Sequence, residues 1–266
     1  MGFIIKAAAI THVGSVRFNN EDNFYLCGHI RKNIEKKTVQ YTVSTRDKRF
    51  LAAVADGMGG EDWGEIASLL AVKALHPCSF EQVGETAQNC VMQANDQICL
   101  EMEKRGAKRI GSTLTALFID DGKAVCCNIG DSRCYLLRDW QLTQLSTDHN
   151  KAKRMVELGV LTLEQAARHP SRHELTQYLG VFPEEMLIQP AFSPVVTLQP
   201  GDVFLLCSDG LTDMVTEGEI AAWLAAIGTP EQKAVHLVRL ALEGGGRDNI
   251  TVLVVQVERE RRHFFS

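Results

Sequence analysis

The stretch that most constrains this chain is Phe50-Leu51-Ala52-Ala53-Val54-Ala55, which runs without a break into Asp56-Gly57-Met58-Gly59-Gly60. An apolar run of strand length delivers a carboxylate straight into a glycine-rich turn, and Gly64-Glu65-Ile66-Ala67-Ser68-Leu69-Leu70 then opens a helix. Asp-Gly at a strand end is ordinarily a turn, because glycine takes positive φ and aspartate bonds its own backbone. Asp120-Asp121-Gly122 is that ordinary case, a hairpin turn between two apolar runs. Asp56 differs because the setting recurs. Asp131 follows the run 126–129, Asp209 follows 205–207, and Asp248 stands immediately before the run 250–257.

Strands are expected at 4–11, 23–27, 50–55, 112–119, 123–129, 133–138, 202–208 and 250–257, several joined by short turns as in an antiparallel meander. Helices are expected at 65–75, about 81–104, after Thr216 with Glu219, and after Thr229-Pro230, where proline takes its preferred first position. Residues 31–48 are charged and weakly patterned, most simply an exposed hairpin extension. Residues 148–179 turn polar and helical, with a capping box at Thr162 and Gln165. Strands in antiparallel groups with helices in pairs exclude a doubly wound parallel sheet and favour packed sheets with helices outside. Neither a linker nor a repeat divides the chain, so one domain over 1–266 is expected.

The net charge is −5, with no basic stretch interleaved with aromatics, which excludes nucleic acid as a partner. No apolar run reaches the roughly 18 residues a membrane helix needs. The eight cysteines, most inside apolar runs, read as reduced core thiols in a cytoplasmic protein.

Carboxylates gathered at strand ends raise one another's pKa and cost stability unless cations hold them. Oxygen ligands select hard ions, Mg²⁺ or Mn²⁺, over zinc. No histidine pair has metal-ligand spacing, and His169 and His173, separated by Pro170, read as solvated. Arg17, Glu21 and Asp22 add an arginine and two acids ahead of another strand. Two metals with a nearby arginine suit phosphate chemistry, with a water activated and the phosphoryl oxygens neutralised.

Arg17 to Asp22, Asp56-Gly57-Met58-Gly59-Gly60, Gly111-Ser112-Thr113, Gly130-Asp131-Ser132-Arg133, Asp148-His149, Ser208-Asp209-Gly210 and Asp248-Asn249, in that order, resemble the metal-dependent (PPM, type 2C) serine/threonine protein phosphatases in their bacterial form. The resemblance implies an α+β fold, a four-layer α-β-β-α sandwich of two antiparallel sheets flanked by helix pairs. It implies that Asp56 bridges two Mn²⁺ or Mg²⁺ ions and that the Gly57 carbonyl, Asp209 and Asp248 complete one shell. Asp22 would hold water on the other ion, supported by Glu21, while Asn249 stands beside Asp248. Asp131 with Asp209 would form a third, weaker position, and Arg17 would bind the substrate phosphate. A metal-bridged hydroxide would attack phosphorus directly, and 148–179 would be a flap beside the cleft. Phosphorylated proteins, with a eukaryotic-type Ser/Thr kinase and its targets, are the implied partners.

Three positions depart from the family pattern. Glu61 replaces a histidine common after the glycine pair in bacterial members, and His173 replaces a flap asparagine. Met58 stands where eukaryotic members carry a histidine proposed as general acid, so leaving-group protonation has no assigned residue. Two Cys-x₅-Arg windows, Cys99 to Arg105 and Cys127 to Arg133, match cysteine phosphatases by count alone. The first is acidic and helix-like, and the second carries Asp131 inside the would-be anion cradle. A dead phosphatase fold predicts loss of a metal carboxylate or of Arg17, and none is lost. A hydrolase of small phosphorylated molecules would keep the same cleft residues.

Overall fold

In the strand Phe50–Ala55, Phe50, Ala52 and Val54 pack into one buried cluster while Leu51, Ala53 and Ala55 pack into another. Side chains alternate across a strand, so an unbroken apolar run marks a strand covered on both faces. The computed structural model describes residues 2–32, 38–45, 49–58, 63–77 and 79–260, and it builds two large sheets around such strands.

One sheet runs in the order Gln141–Gln144, Arg133–Arg138, Val203–Cys207, Ile250–Arg259, Phe3–His12 and Thr38–Thr45. The other runs Ala191–Phe192, Lys123–Ile129, Leu114–Asp120, Phe50–Ala55, Asn23–Leu26 and His29–Ile30, with Val196–Thr197 also on Lys123–Ile129. Every pairing is antiparallel. Between the sheets lie Ile5, Phe24, Phe50, Val54, Phe204, Leu206, Leu253 and Val255. Helices Gly64–Lys73 and Val83–Arg105 cover the second sheet, burying Ala67, Ala71, Val91, Ala94 and Ile98 against it. Helices Glu217–Ala225 and Pro230–Glu243 cover the first through Ile220, Leu224, Leu237 and Ala241. The layers are therefore α-β-β-α.

Local signals act where they stand. Thr162, Thr216 and Thr229 each close a reciprocal capping box. Asp121 and Gly122 both take positive φ, 47° and 75°, and make the hairpin turn between two paired strands.

Parts of residues 31–48 depart from the expected exposed hairpin extension, while 33–37 and 46–48 lie outside the described residues. Thr38–Thr45 is an edge strand paired along its length with Phe3–His12. Arg31 is 1% exposed, and its guanidinium donates to the Asn20 carbonyl at 2.5 Å. Glu61 and the glycines 59 and 60 lie outside the described residues.

Candidate metal centre

The two sheets bring the ends of Phe50–Ala55 and Val203–Cys207 and the starts of Asn23–Leu26 and Ile250–Arg259 to one place. Asp56, Asp209, Asp22 and Asp248 therefore share one neighbourhood. With Asp131, they form a cluster at a cleft of about 900 Å³ whose lining includes Arg17, Glu21, Asp56, Gly57, Asp131 and Asp209.

Asp22 is fully buried. Its Oδ2 accepts from the hydroxyls of Ser208 and Thr251, each at 2.7 Å. Its Oδ1 is buried with no hydrogen-bond partner among the described residues, and so is Oδ1 of Asp209. Burial first, then the charges of Asp209 and Asp248, push the Asp22 carboxyl up to about 7 against the pull of the two hydroxyl donors. Asp56 is held well above the carboxylate range by desolvation and by Asp22, Asp209, Asp131 and Asp248. Asp131 is raised likewise by desolvation, Asp209 and Asp148. Glu21 is pushed up to about 7, mainly by burial and then by Glu65.

The backbone around these acids is tightly set. Thr113 N donates to the Asp56 carbonyl at 2.8 Å, and Asp56 N donates back to the Thr113 hydroxyl at 3.0 Å. Gly57 has no room for a side chain: a Cβ would sit 2.0 Å from the Gly64 carbonyl oxygen and 2.7 Å from that of Glu21. Asn249 is a brace, its Oδ1 accepting from Glu21 N at 2.7 Å and its Nδ2 donating to the carbonyls of Val13 and Asn19. Asp131 follows Gly130, whose N–H donates to His149 Nδ1 and whose carbonyl accepts from His149 N. Arg133 grips Asp148 through both Nε and Nη2, tying the start of 148–179 to this loop.

Two buried carboxylate oxygens without donors, among acids that repel one another, fit hard divalent cations with oxygen ligands. The donor set is incomplete as protein alone: the hydroxyls satisfy one oxygen of Asp22, and its other oxygen has no donor among the described residues.

A sequence profile of the Protein phosphatase 2C family matches residues 28–240. The chain belongs to that family. The serine/threonine phosphatase stp of Listeria innocua is 35% identical over 258 residues, 92% of this chain and 93% of that protein. Protein phosphatase PhpP of Streptococcus pneumoniae is 34% identical over 96% of this chain and 99% of its own. Among solved structures, the catalytic domain of the serine threonine protein phosphatase PstP, in complex with two manganese ions, superposes with a TM-score of 0.77 at 32% identity, covering 97% of this chain and 100% of that one.

Other features of this phosphatase 2C chain bear on the site. Arg17 Nη2 donates to Asp248 Oδ2 at 2.8 Å, so the arginine expected to take phosphate holds a carboxylate here. His169 and His173 are not simply solvated. His169 Nδ1 accepts from Ser171 N, capping the turn Pro170–His173. His173 lies 3.6 Å from carboxylate oxygens of both Asp209 and Asp213, and its pKa is raised chiefly by Asp209. Cys99 sits inside a helix and Cys127 inside a strand; burial pushes the Cys99 thiol up to about 11 and raises Cys127 further, which leaves neither a ready thiolate. The hydroxyls of Ser208 and Thr251 and the buried Arg31 had no signal in the sequence beyond their neighbours. Among the described residues, no helix is long and apolar enough to cross a membrane.

Proposed function

We propose that this chain is a divalent-metal-dependent protein serine/threonine phosphatase whose hydrolytic centre is the carboxylate cluster of the cleft. One observation carries the reading: Asp56, Asp131, Asp209 and Asp248 line one cleft, the buried Asp22 adds its charge to theirs, and among the described residues two buried oxygens of the group lack donors. The relatives named serine/threonine phosphatase and the manganese-bound neighbour support it.

Asp56 would be shared between two ions. The Gly57 carbonyl, Asp209 and Asp248 would complete one shell, and Asp22 would hold solvent on the other side, backed by Glu21. Asp131 with Asp209 would make a third, weaker position. When bound, Mn²⁺ or Mg²⁺ supplies an activated water and neutralises phosphoryl oxygens. Arg17 would bind the substrate phosphate with its planar fork, sharing or releasing Asp248 as it does so. Met58, which lines the cleft, has no proton to give the leaving group. Residues 1–266 would work as one catalytic domain in the cytoplasm, opposing a Ser/Thr kinase on that kinase's phosphorylated targets.

The test is hydrolysis of p-nitrophenyl phosphate and of a phosphothreonine peptide by EDTA-stripped protein as Mn²⁺ is titrated back. Activity should appear with Mn²⁺ and fall about a thousandfold in Asp209→Asn, the scale on which removing a key electrostatic group acts. Stripped protein as active as the metal-loaded protein would overturn the reading.

A further inference from the structure

Among the described residues lining the cleft, Arg17, Arg109 and Lys151 carry permanent positive charge. Arg17 is paired with Asp248 and Lys151 with Glu174. Arg109 pairs with no carboxylate among the described residues, although Glu174 and Glu185 share the cleft with it. Its Nη2 donates to the Tyr178 hydroxyl at 3.2 Å, and its guanidinium carbon lies 5.2 Å from the centre of the Tyr178 ring.

This pair is mounted on the backbone that carries Asp56. Gly57 and Met58, which follow Asp56, pair with Ser112 and Gly111, the latter two residues beyond Arg109. Ser112 is in turn bridged to Leu179, the neighbour of Tyr178, by reciprocal bonds of 3.1 and 2.8 Å. The segments carrying Arg109 and Tyr178 are thus joined by a few backbone hydrogen bonds to the one carrying Asp56.

A guanidinium has five N–H donors in a fixed fork, and Tyr178 takes one of them. The remaining edge suits a carboxylate or a phosphate bidentately. The ring beneath restricts the side chain, so less freedom is lost when an anion arrives.

We propose that Arg109, oriented by Tyr178, is a specificity site that binds a second anionic group on the phosphoprotein segment lying in the cleft. This rests on the protein-phosphatase reading above. The shared chemistry is an oxyanion, either an acidic side chain or a second phosphorylated residue near the scissile one.

The experiment compares kcat/KM of Mn²⁺-loaded protein on a neutral phosphothreonine peptide with that on variants carrying glutamate, or a second phosphothreonine, at one flanking position at a time. The readout is the ratio of anionic to neutral peptide within each protein. Wild type should favour an anion at one position about tenfold, the worth of one charge-assisted contact. In Arg109→Gln that ratio should fall to about one, in Arg109→Lys it should be intermediate, and Arg109→Glu should favour lysine at the same position, a reversal no loss of packing would produce. A glutamate peptide matching the doubly phosphorylated one assigns the site to any oxyanion, and a doubly phosphorylated peptide that alone gains assigns it to phosphate. A wild-type ratio near one, or a preference that survives Arg109→Gln, overturns the subsite alone. If p-nitrophenyl phosphate is cleaved and no peptide is, the protein-substrate reading fails and the subsite with it.

Discussion

Asp22→Asn should make the metal-free protein more stable at neutral pH while reducing the stabilisation it gains from Mn²⁺. Asp22 is fully buried, accepts two hydroxyl hydrogen bonds through one oxygen, and has no donor on the other. Its carboxyl titrates near 7 in the folded protein against 3.8 in the open chain. Below the lower value both states are protonated and folding carries no penalty. Between the two values the unfolded chain releases a proton that the folded protein keeps, so stability falls as pH rises. Above the higher value the full penalty is present, about 4 kcal/mol for a gap of about 3 pH units at about 1.4 kcal/mol each. Asparagine has nearly the same shape, can still accept from Ser208 and Thr251, carries no charge, and places an N–H₂ where the unpartnered oxygen stood. At pH 7.5 without metal the variant should therefore melt roughly 10 °C higher than wild type, and the gap should close toward pH 4. The assay is thermal unfolding of EDTA-treated wild type and Asp22→Asn from pH 4 to 8, repeated with Mn²⁺. Added Mn²⁺ should raise wild type progressively with concentration and the variant far less. Curves that stay parallel across the pH range, or a variant less stable than wild type at pH 7.5, would refute the reasoning.

Other perturbations probe the scaffold. Arg133→Leu leaves Asp148, 10% exposed, without the cation that holds it, and should cost about 3 kcal/mol in urea unfolding, with Arg133→Lys recovering part of it. Lys233 is 5% exposed and donates to the carbonyls of Leu224 and Ala226 at the end of helix Glu217–Ala225. Lys233→Met should lower the stability read from urea unfolding by about 2 kcal/mol and leave phosphatase turnover unchanged, since Lys233 does not line the cleft. Gly57→Ala drives a methyl group into the Gly64 carbonyl and should abolish activity and lower stability by 3 kcal/mol or more, on the order of a severe backbone clash, as read from thermal unfolding and Mn²⁺-dependent hydrolysis.

The sequence alone determined the local grammar of this protein. Apolar runs marked Phe50–Ala55 and Val203–Cys207, and Thr216 and Thr229 announced their helices, because strand periodicity and capping depend on residues within a few positions of each other. The order of the acids also pointed to metal-dependent phosphate chemistry before any coordinates. What holds those acids was decided by the tertiary structure. The hydroxyls on Asp22 come from residues 186 and 229 positions away. Arg31, read as part of an exposed extension, is buried beneath Asn20, and Asp22 is among the charges that favour its charged form. The same stretch supplies Thr38–Thr45, whose pairing with Phe3–His12 its weak pattern did not reveal. His173 meets Asp209 and Asp213, and Arg109 meets Tyr178, only because the 148–179 segment folds back over the cleft. Desolvation and like-charge repulsion depend on what lies across space, so no window of sequence contains them.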